Sequence, residues 1–379
     1  MTASHPNEAP ALLTLLLANG PAAPRRQLID HHRCARLALA AGRPAWKASG
    51  CTPAQAAALA RPNVSALEAA LAWLARPSCH LIGWGDDRYP TLLRDTANPP
   101  LALFVEGDAQ LLHHPSIAVV GSRRPSAAGR DHAGDFACTF AAAGLAVASG
   151  LAAGIDAAAH QAVLTLRGGL TLAVLGTGPD LAYPPRHRAL RDRIAAAGAV
   201  VSEYLPGTAP AQAHFPARNR ILAGLSLGTV VIEAAHRSGA LITARLAAEA
   251  GREVFALPGS VHNPMARGCH RLIRDGALLV EDPDEILALL GPRAADRAAA
   301  LWPAPPAPIE AARPSIQPTR AAGHPDYQRL WRALGHDPTP MDSLIQRTGL
   351  TAATLSSMLL AMELEGRVVV QHGRYTRNP

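Results

Sequence analysis

The stretch His214-Phe215-Pro216-Ala217-Arg218-Asn219-Arg220-Ile221-Leu222-Ala223-Gly224-Leu225-Ser226 runs into Thr229-Val230-Val231-Ile232-Glu233-Ala234 and then Ser238-Gly239-Ala240-Leu241-Ile242-Thr243-Ala244. It reads as a helix, a buried strand, and a second helix entered through a small-residue loop. Two arginines and an asparagine stand near the start of the first helix. α/β proteins present donors to phosphates in this way, at helix starts and in loops beyond the ends of buried strands. The stretch therefore predicts an anion-binding crevice at one edge of a parallel sheet.

Outward from this stretch the same rhythm repeats. Apolar runs at Ile117–Val120, Leu145–Ala148, Thr171–Leu175, Ala199–Val201, Thr229–Ile232, Glu253–Leu257 and Ala277–Val280 alternate with helical segments. Near-continuous apolar strands separated by helices indicate a doubly covered sheet, so the expected class is α/β, with a Rossmann-like, doubly wound, mostly parallel core over residues 80–290. Residues 1–79 read as a small helical domain (SAM- or HhH-like), its short Ala/Leu-rich helices broken by Gly20-Pro21, Pro44 and Pro53. Residues 291–325 carry Pro303-Ala304-Pro305-Pro306-Ala307-Pro308 and read as a Pro/Ala-rich linker. In residues 326–379, three helical periods (Tyr327–Leu334, Met341–Thr348, Ala352–Glu365) precede a hairpin turning at His372-Gly373, the pattern of a winged helix.

Net charge is +7 over 379 residues, but its distribution matters more than its sum. Residues 80–290 hold 18 basic and 19 acidic side chains, so phosphate binding there rests on local clusters such as Arg123-Arg124, Arg218/Arg220 and Arg267/Arg271/Arg274. The tail has 6 basic against 5 acidic residues, which leaves DNA binding and a protein-protein role both open for it. Lys47 is the only lysine, in a stretch without a chemical motif. P-loop, pyridoxal and nucleotidyl-ligase chemistry each need a placed lysine, so all three are excluded. The five cysteines are scattered without a CxxC, which argues against a disulfide framework or a zinc site. No cofactor is expected. The apolar run Ala11–Ala18 is too short to span a bilayer and no basic region precedes it, so a cytoplasmic location follows and no membrane partner is expected.

Small or polar residues end each core strand: Gly121-Ser122-Arg123-Arg124, Ser149-Gly150-Leu151-Ala152-Ala153-Gly154-Ile155-Asp156, Gly176-Thr177-Gly178, Ser202-Glu203, Ser238-Gly239 and Pro258-Gly259-Ser260. Glycine admits a phosphate to the backbone, and amides at a helix start supply donors. Several other signatures fail on context. Gly224-Leu225-Ser226-Leu227-Gly228 has the GxSxG pattern but runs from helix to strand, the wrong direction for a nucleophile elbow. Gly176-Thr177-Gly178 lacks the third glycine of a dinucleotide fingerprint. Asp156 and His160 share a helix face without a third ligand, so Asp156 is expected to cap and orient the glycine loop.

The order of these segments resembles the DNA-processing protein A (DprA, or Smf) family, through AVVGSRRPS (118–126), SGLAAGIDAAAH (149–160), AVLGTGPDLAYP (173–184), SEY (202–204), FPARNRILAGLS (215–226), VVIEAAHRSGALITA (230–244), ALPGS (256–260) and GCHRLIRDGA (268–277). The resemblance implies a non-enzymatic protein that binds and protects single-stranded DNA and helps load the RecA recombinase in natural transformation or homologous recombination. It further implies a homodimer. Its DNA-contacting residues would be Gly121, Ser122, Arg123, Gly150, Gly154, Phe215, Arg218, Asn219 and Arg220, with Ser238, Gly239 and Thr243 from the following segment. Arginine forks would hold phosphate oxygens, loop amides would hold a second oxygen, and Phe215 would either stack on a base or pack at the helix start. Arg220 would take a phosphate or pair with Glu203 or Glu233. His270 stands where the family usually has asparagine. The competing reading is a nucleotide-binding, phosphoribohydrolase-like enzyme on a similar sheet, but its PGGxGTxxE loop is absent; the corresponding region reads Arg237-Ser238-Gly239-Ala240-Leu241-Ile242-Thr243.

Overall fold

The computed structural model describes residues 8–301, 325–334, 338–371 and 373–377. The chain divides into two compact units, Met1–Glu310 and Ala311–Pro379.

The first unit opens with six short helices, α1 (Glu8–Leu17), α2 (Ala23–His32), α3 (Ala35–Ala40), α4 (Gly42–Ala48), α5 (Pro53–Ala60) and α6 (Val64–Leu74). The breaks at Gly20-Pro21 and Pro53 stand where expected, and Thr52 closes a capping box with Gln55 at the head of α5. Pro44 does not break a helix; it sits in the first turn of α4, where a missing N–H costs nothing. There follow β1 (Cys79–Gly83), α7 (Thr91–Arg94), β2 (Ala102–Gly107), β3 (Ser116–Gly121), α8 (Ala127–Ala142), β4 (Ala146–Ser149), α9 (Ile155–Val163), β5 (Thr171–Leu175), α10 (Arg188–Ala197), β6 (Ala199–Ser202), α11 (His214–Leu225), β7 (Gly228–Ile232), α12 (Gly239–Glu249), β8 (Glu253–Ala256), α13 (Arg267–Arg274), β9 (Leu278–Leu279) and α14 (Pro283–Leu301).

The sheet has nine strands in the order β1-β2-β6-β5-β4-β3-β7-β8-β9. Strands β3 to β9 are parallel, while β2 runs antiparallel to β6 and β1 antiparallel to β2. The chain steps away from β3 through β4, β5 and β6, then returns to β7 on the other side of β3. A crevice between departing connections forms at such a reversal, outside the carboxyl ends of the strands. Alternation along β3 sends Ala118 and Val120 into one core layer and Ile117 and Val119 into the other, which is why the strand reads as continuously apolar.

The seven parallel strands match the sequence expectation, but the pair β1 and β2 was not anticipated. It gives the N-terminal helices their seat. Leu12, Leu28 and Trp46 pack with Leu101 and Ala102, and Leu13, Ala70 and Trp73 pack with Cys79 and Phe104. The helix α14 reaches Leu301, so residues 291–301 of the expected linker are helical; Arg293-Ala294-Ala295-Asp296-Arg297-Ala298-Ala299-Ala300 is a strong helix-forming run that outweighs Pro292. Residues 302–324 lie outside the described residues.

The second unit holds α15 (Pro325–Ala333), β10 (Thr339–Pro340), α16 (Met341–Thr348), α17 (Ala352–Leu364), β11 (Val368–Gln371) and β12 (Arg374–Arg377), with a small sheet in the order β10-β12-β11. Leu330, Leu344, Leu355, Leu359, Met362 and Val368 form its core. Gly349 ends α16 with a left-handed φ of 69°, and Thr351 caps α17 two residues later. This is a winged helix; of the expected hairpin turn, His372 lies outside the described residues. No described helix is long and apolar enough to cross a membrane.

Candidate nucleic-acid interface

The loops after β3, β4, β5, β6, β7 and β8 share the carboxyl edge of the sheet with the start of α11. Its open part is built from Arg123, Phe215 and Tyr183. Arg123 is exposed on the loop after β3, and its guanidinium carbon lies 5.8 Å from the Phe215 ring centroid. Tyr183, 41% exposed on the loop after β5, packs its ring 5.0 Å from that of Phe215 at 39°. Phe215 is half-buried and touches both a cation and a second ring. This trio offers a charge for a phosphate beside aromatic faces for a base.

Arg218 occupies a different environment. It is 5% exposed, its Nε donates to Asn219 Oδ1 at 3.1 Å, and its Nη1 donates to the Val174 carbonyl. Gly150 lies against it so closely that a Cβ there would fall 2.3 Å from Nη1. Beneath the same loop, Asp156 Oδ2 accepts from Gly150 N at 3.1 Å and from Ala152 N at 3.3 Å. Burial pushes the Asp156 carboxyl up, against the pull of the Arg218 guanidinium and the two amides. Burial also pulls Arg218 down to about 10, so it stays cationic at neutral pH. The expectation that the amides of this loop hold a phosphate oxygen is corrected for Gly150 and Ala152, because both N–H groups turn inward to Asp156. The expected role of Asp156 as the organiser of the loop holds. His160, behind it, meets the Thr171 hydroxyl through Nδ1 at 2.7 Å, and burial pulls it down to about 3, so its ring is neutral.

The remaining expected residues divide between packing and the rim. Gly121 lets β3 pass β7, since a Cβ would stand 1.9 Å from the Ile232 carbonyl oxygen, and Gly154, at φ 86°, presses on the Ser122 carbonyl. Ser122 is buried and its Oγ accepts from Arg124 N at 3.0 Å, shaping the loop that carries Arg123. Arg220 pairs with Glu203 through Nη2, while its Nη1 is buried without a hydrogen-bond partner. Glu233 accepts from Ser126 N and Oγ at the head of α8, and from Asn263 Nδ2 at 3.2 Å. A carboxylate of the protein therefore fills the electropositive end of that helix. Asn219 is buried and its Nδ2 approaches the Gly239 carbonyl; Ser238 caps α12, Gly239 is exposed and Thr243 is buried. His270 meets the Gly259 carbonyl through Nε2 at 3.0 Å, so it fastens the loop after β8. Three contributors escaped the sequence reading: Tyr183, the stacked pair Tyr204 and His214, and the capping role of Glu233. The signal was thin, although two of only five tyrosines stand in loops after core strands.

A family model for DNA recombination-mediator protein A matches residues 80–291. The chain belongs to this family. A model of the DprA winged helix domain matches residues 303–374, so both compact units carry DprA-family sequence. Protein Smf of Escherichia coli is 41% identical over 312 residues, covering 82% of this chain and 80% of that protein. The DNA processing protein DprA of Streptococcus pneumoniae is 47% identical over 203 residues, covering 54% of this chain and 71% of the relative. The crystal structure of the Streptococcus pneumoniae protein superposes with a TM-score of 0.66 at 36% identity, covering 74% of this chain and 97% of that one. A structure of DNA processing protein A from Helicobacter pylori, described as having a unique single-stranded DNA binding mode, gives a TM-score of 0.50 at 28% identity over 54% of this chain and 94% of that one.

Proposed function

We propose that this DprA-family chain binds single-stranded DNA across the carboxyl edge of its sheet, as a cytoplasmic, non-enzymatic recombination mediator. The observation that carries the reading is Arg123 held over the Phe215 ring, which itself packs against Tyr183, at the sheet edge. A guanidinium takes a backbone phosphate, and the rings accept an unpaired base without regard to its identity. Arg218, Asn219, Gly121, Gly150 and Gly154 build the floor beneath this surface, and Ser122 shapes its first loop. Ser238, Gly239 and Thr243 belong to the neighbouring rim. The single-strand binding described for the Helicobacter pylori protein supports the assignment of ligand. Membership of the family supports the further roles: protection of incoming strands, loading of RecA, and action as a homodimer.

The test is a titration with a single-stranded oligonucleotide, the matching duplex and a mononucleotide at one salt concentration. Tightest binding of the single strand, reduced by Arg123→Ala, is expected. Equal competition by duplex, or tighter binding of the mononucleotide, contradicts the reading.

A further inference from the structure

We infer that Tyr204 and His214 form a second base-stacking station, so that one unpaired strand runs along the sheet edge from Arg123 past Phe215 and Tyr183 to this pair. The inference rests on the single-strand reading above and extends it from one base to two.

The start of α11 lies over the end of β5. Gly176 makes this possible, since a Cβ there would come within 3.0 Å of Phe215 Cδ1 and 3.4 Å of the His214 carbonyl carbon. The Gly176-Thr177-Gly178 loop, which fails as a dinucleotide fingerprint, thereby acquires a role: it seats an aromatic dipeptide on the sheet edge. Successive side chains on a helix diverge by roughly 100°, and here the two rings part to opposite partners. Phe215 goes to Tyr183 from the loop after β5, and His214 goes to Tyr204 from the loop after β6. The second pair is the more parallel of the two, with centroids 4.1 Å apart and planes at 23°.

Three features suit this pair to a base. Tyr204 and His214 are both only half-buried, so the stack is not enclosed in the core. The Tyr204 backbone is held in place, its N–H donating to Ser202 Oγ at 3.0 Å, and His214 Nδ1 is enclosed without a hydrogen-bond partner, so stacking is the contact the structure gives that ring. Burial, and next the Glu203 carboxylate, push the Tyr204 phenol up to about 12 against the opposing pull of Arg220 and Arg218, so the ring offered to a base is neutral. In strand order the stations fall at β3, β5 and β6, and β4 and β5 separate the first from the last.

The experiment is an abasic scan. The shortest single-stranded oligonucleotide that saturates the full chain is made with one base removed at each position in turn, and each is titrated against wild type, Phe215→Leu, Tyr204→Leu and Tyr204→Phe. Wild type is expected to lose about tenfold in affinity at two separate positions, within the range of one base-aromatic stack. Tyr204→Leu should erase the penalty at one position and Phe215→Leu at the other, while Tyr204→Phe keeps both. A single penalty erased by Phe215→Leu, with Tyr204→Leu indistinguishable from wild type, overturns the second station and leaves the first standing. Absence of any abasic penalty, together with unchanged binding by Arg123→Ala, overturns the single-strand reading itself.

Discussion

The guanidinium of Arg218 lies directly beneath the backbone of Gly150, so close that any side chain at 150 would strike it. Both residues carry the family motifs, and both are expected from sequence to touch DNA. The structure makes them a unit of support: Arg218 donates to the Val174 carbonyl beneath the Gly150 backbone, and Asp156 clamps the Gly150 and Ala152 amides. Arg218→Ala empties this buried space and removes the donor to the Val174 carbonyl, and should cost about 2–5 kcal/mol. Gly150→Ala overpacks the same space and should cost about 1–3 kcal/mol. The double variant should cost less than the two singles added, because the alanine methyl gains room once the guanidinium is gone. Urea denaturation of the four proteins checks this; strict additivity would separate the two residues.

Arg123 and Arg220 should behave oppositely, although both come from motifs that suggest phosphate binding. Arg123 is exposed and Arg220 is committed to Glu203. Arg123→Ala should weaken single-strand binding and make the salt dependence shallower by about 0.7, the value for one phosphate contact on a single strand. Arg220→Ala should lower stability and leave the salt slope unchanged. Binding isotherms at several salt concentrations check both, and a shallower slope for Arg220→Ala alone would reverse the assignment.

Acid should destabilise the chain in part through His160. Its ring is neutral and held near pKa 3 by burial, from an ordinary value of 6.5. Between those limits the unfolded state takes up a proton that the folded state refuses, so stability falls as pH falls, by up to about 1.4 kcal/mol per pH unit. His160→Asn, which can still donate to Thr171, should be less stable than wild type near neutral pH but lose less on acidification. Parallel stability curves from pH 7 to pH 4 would contradict this.

The doubly covered strands were legible because apolar side chains are required on both faces, which leaves runs such as Thr171–Leu175 unmistakable. The antiparallel strands β1 and β2 were not legible. Only the four-residue helix α7 stands between them, too short to set the βα rhythm, and the residues after Pro99-Pro100 read as a change of segment rather than as a strand. Among the site residues, the loops and their glycines were found, but not their purposes. Whether an arginine faces solvent or an acid depends on partners distant in sequence, as with Arg220 and Glu203 or Arg191 and Glu106. Tyr183 and Tyr204 were missed because a single ring in a loop carries no period, and only the fold brings each to the start of α11.

On the proposed function, the single-strand site lies on the sheet edge and not on the winged helix. The N-terminal helices share apolar packing with β1, β2 and the residues just before β2, so the fragment to isolate is residues 1–310, with 311–379 as its counterpart. Both are titrated with the same fluorescent single-stranded oligonucleotide at one moderate salt concentration, with oligomeric state measured alongside. Residues 1–310 should retain most of the affinity, and Arg123→Ala within that fragment should remove much of it. Residues 311–379 should bind feebly, since they hold 8 basic against 5 acidic side chains, only a small excess. Strong binding by 311–379, together with none by a folded 1–310 fragment in the same oligomeric state as the full chain, would place the site on the winged helix instead.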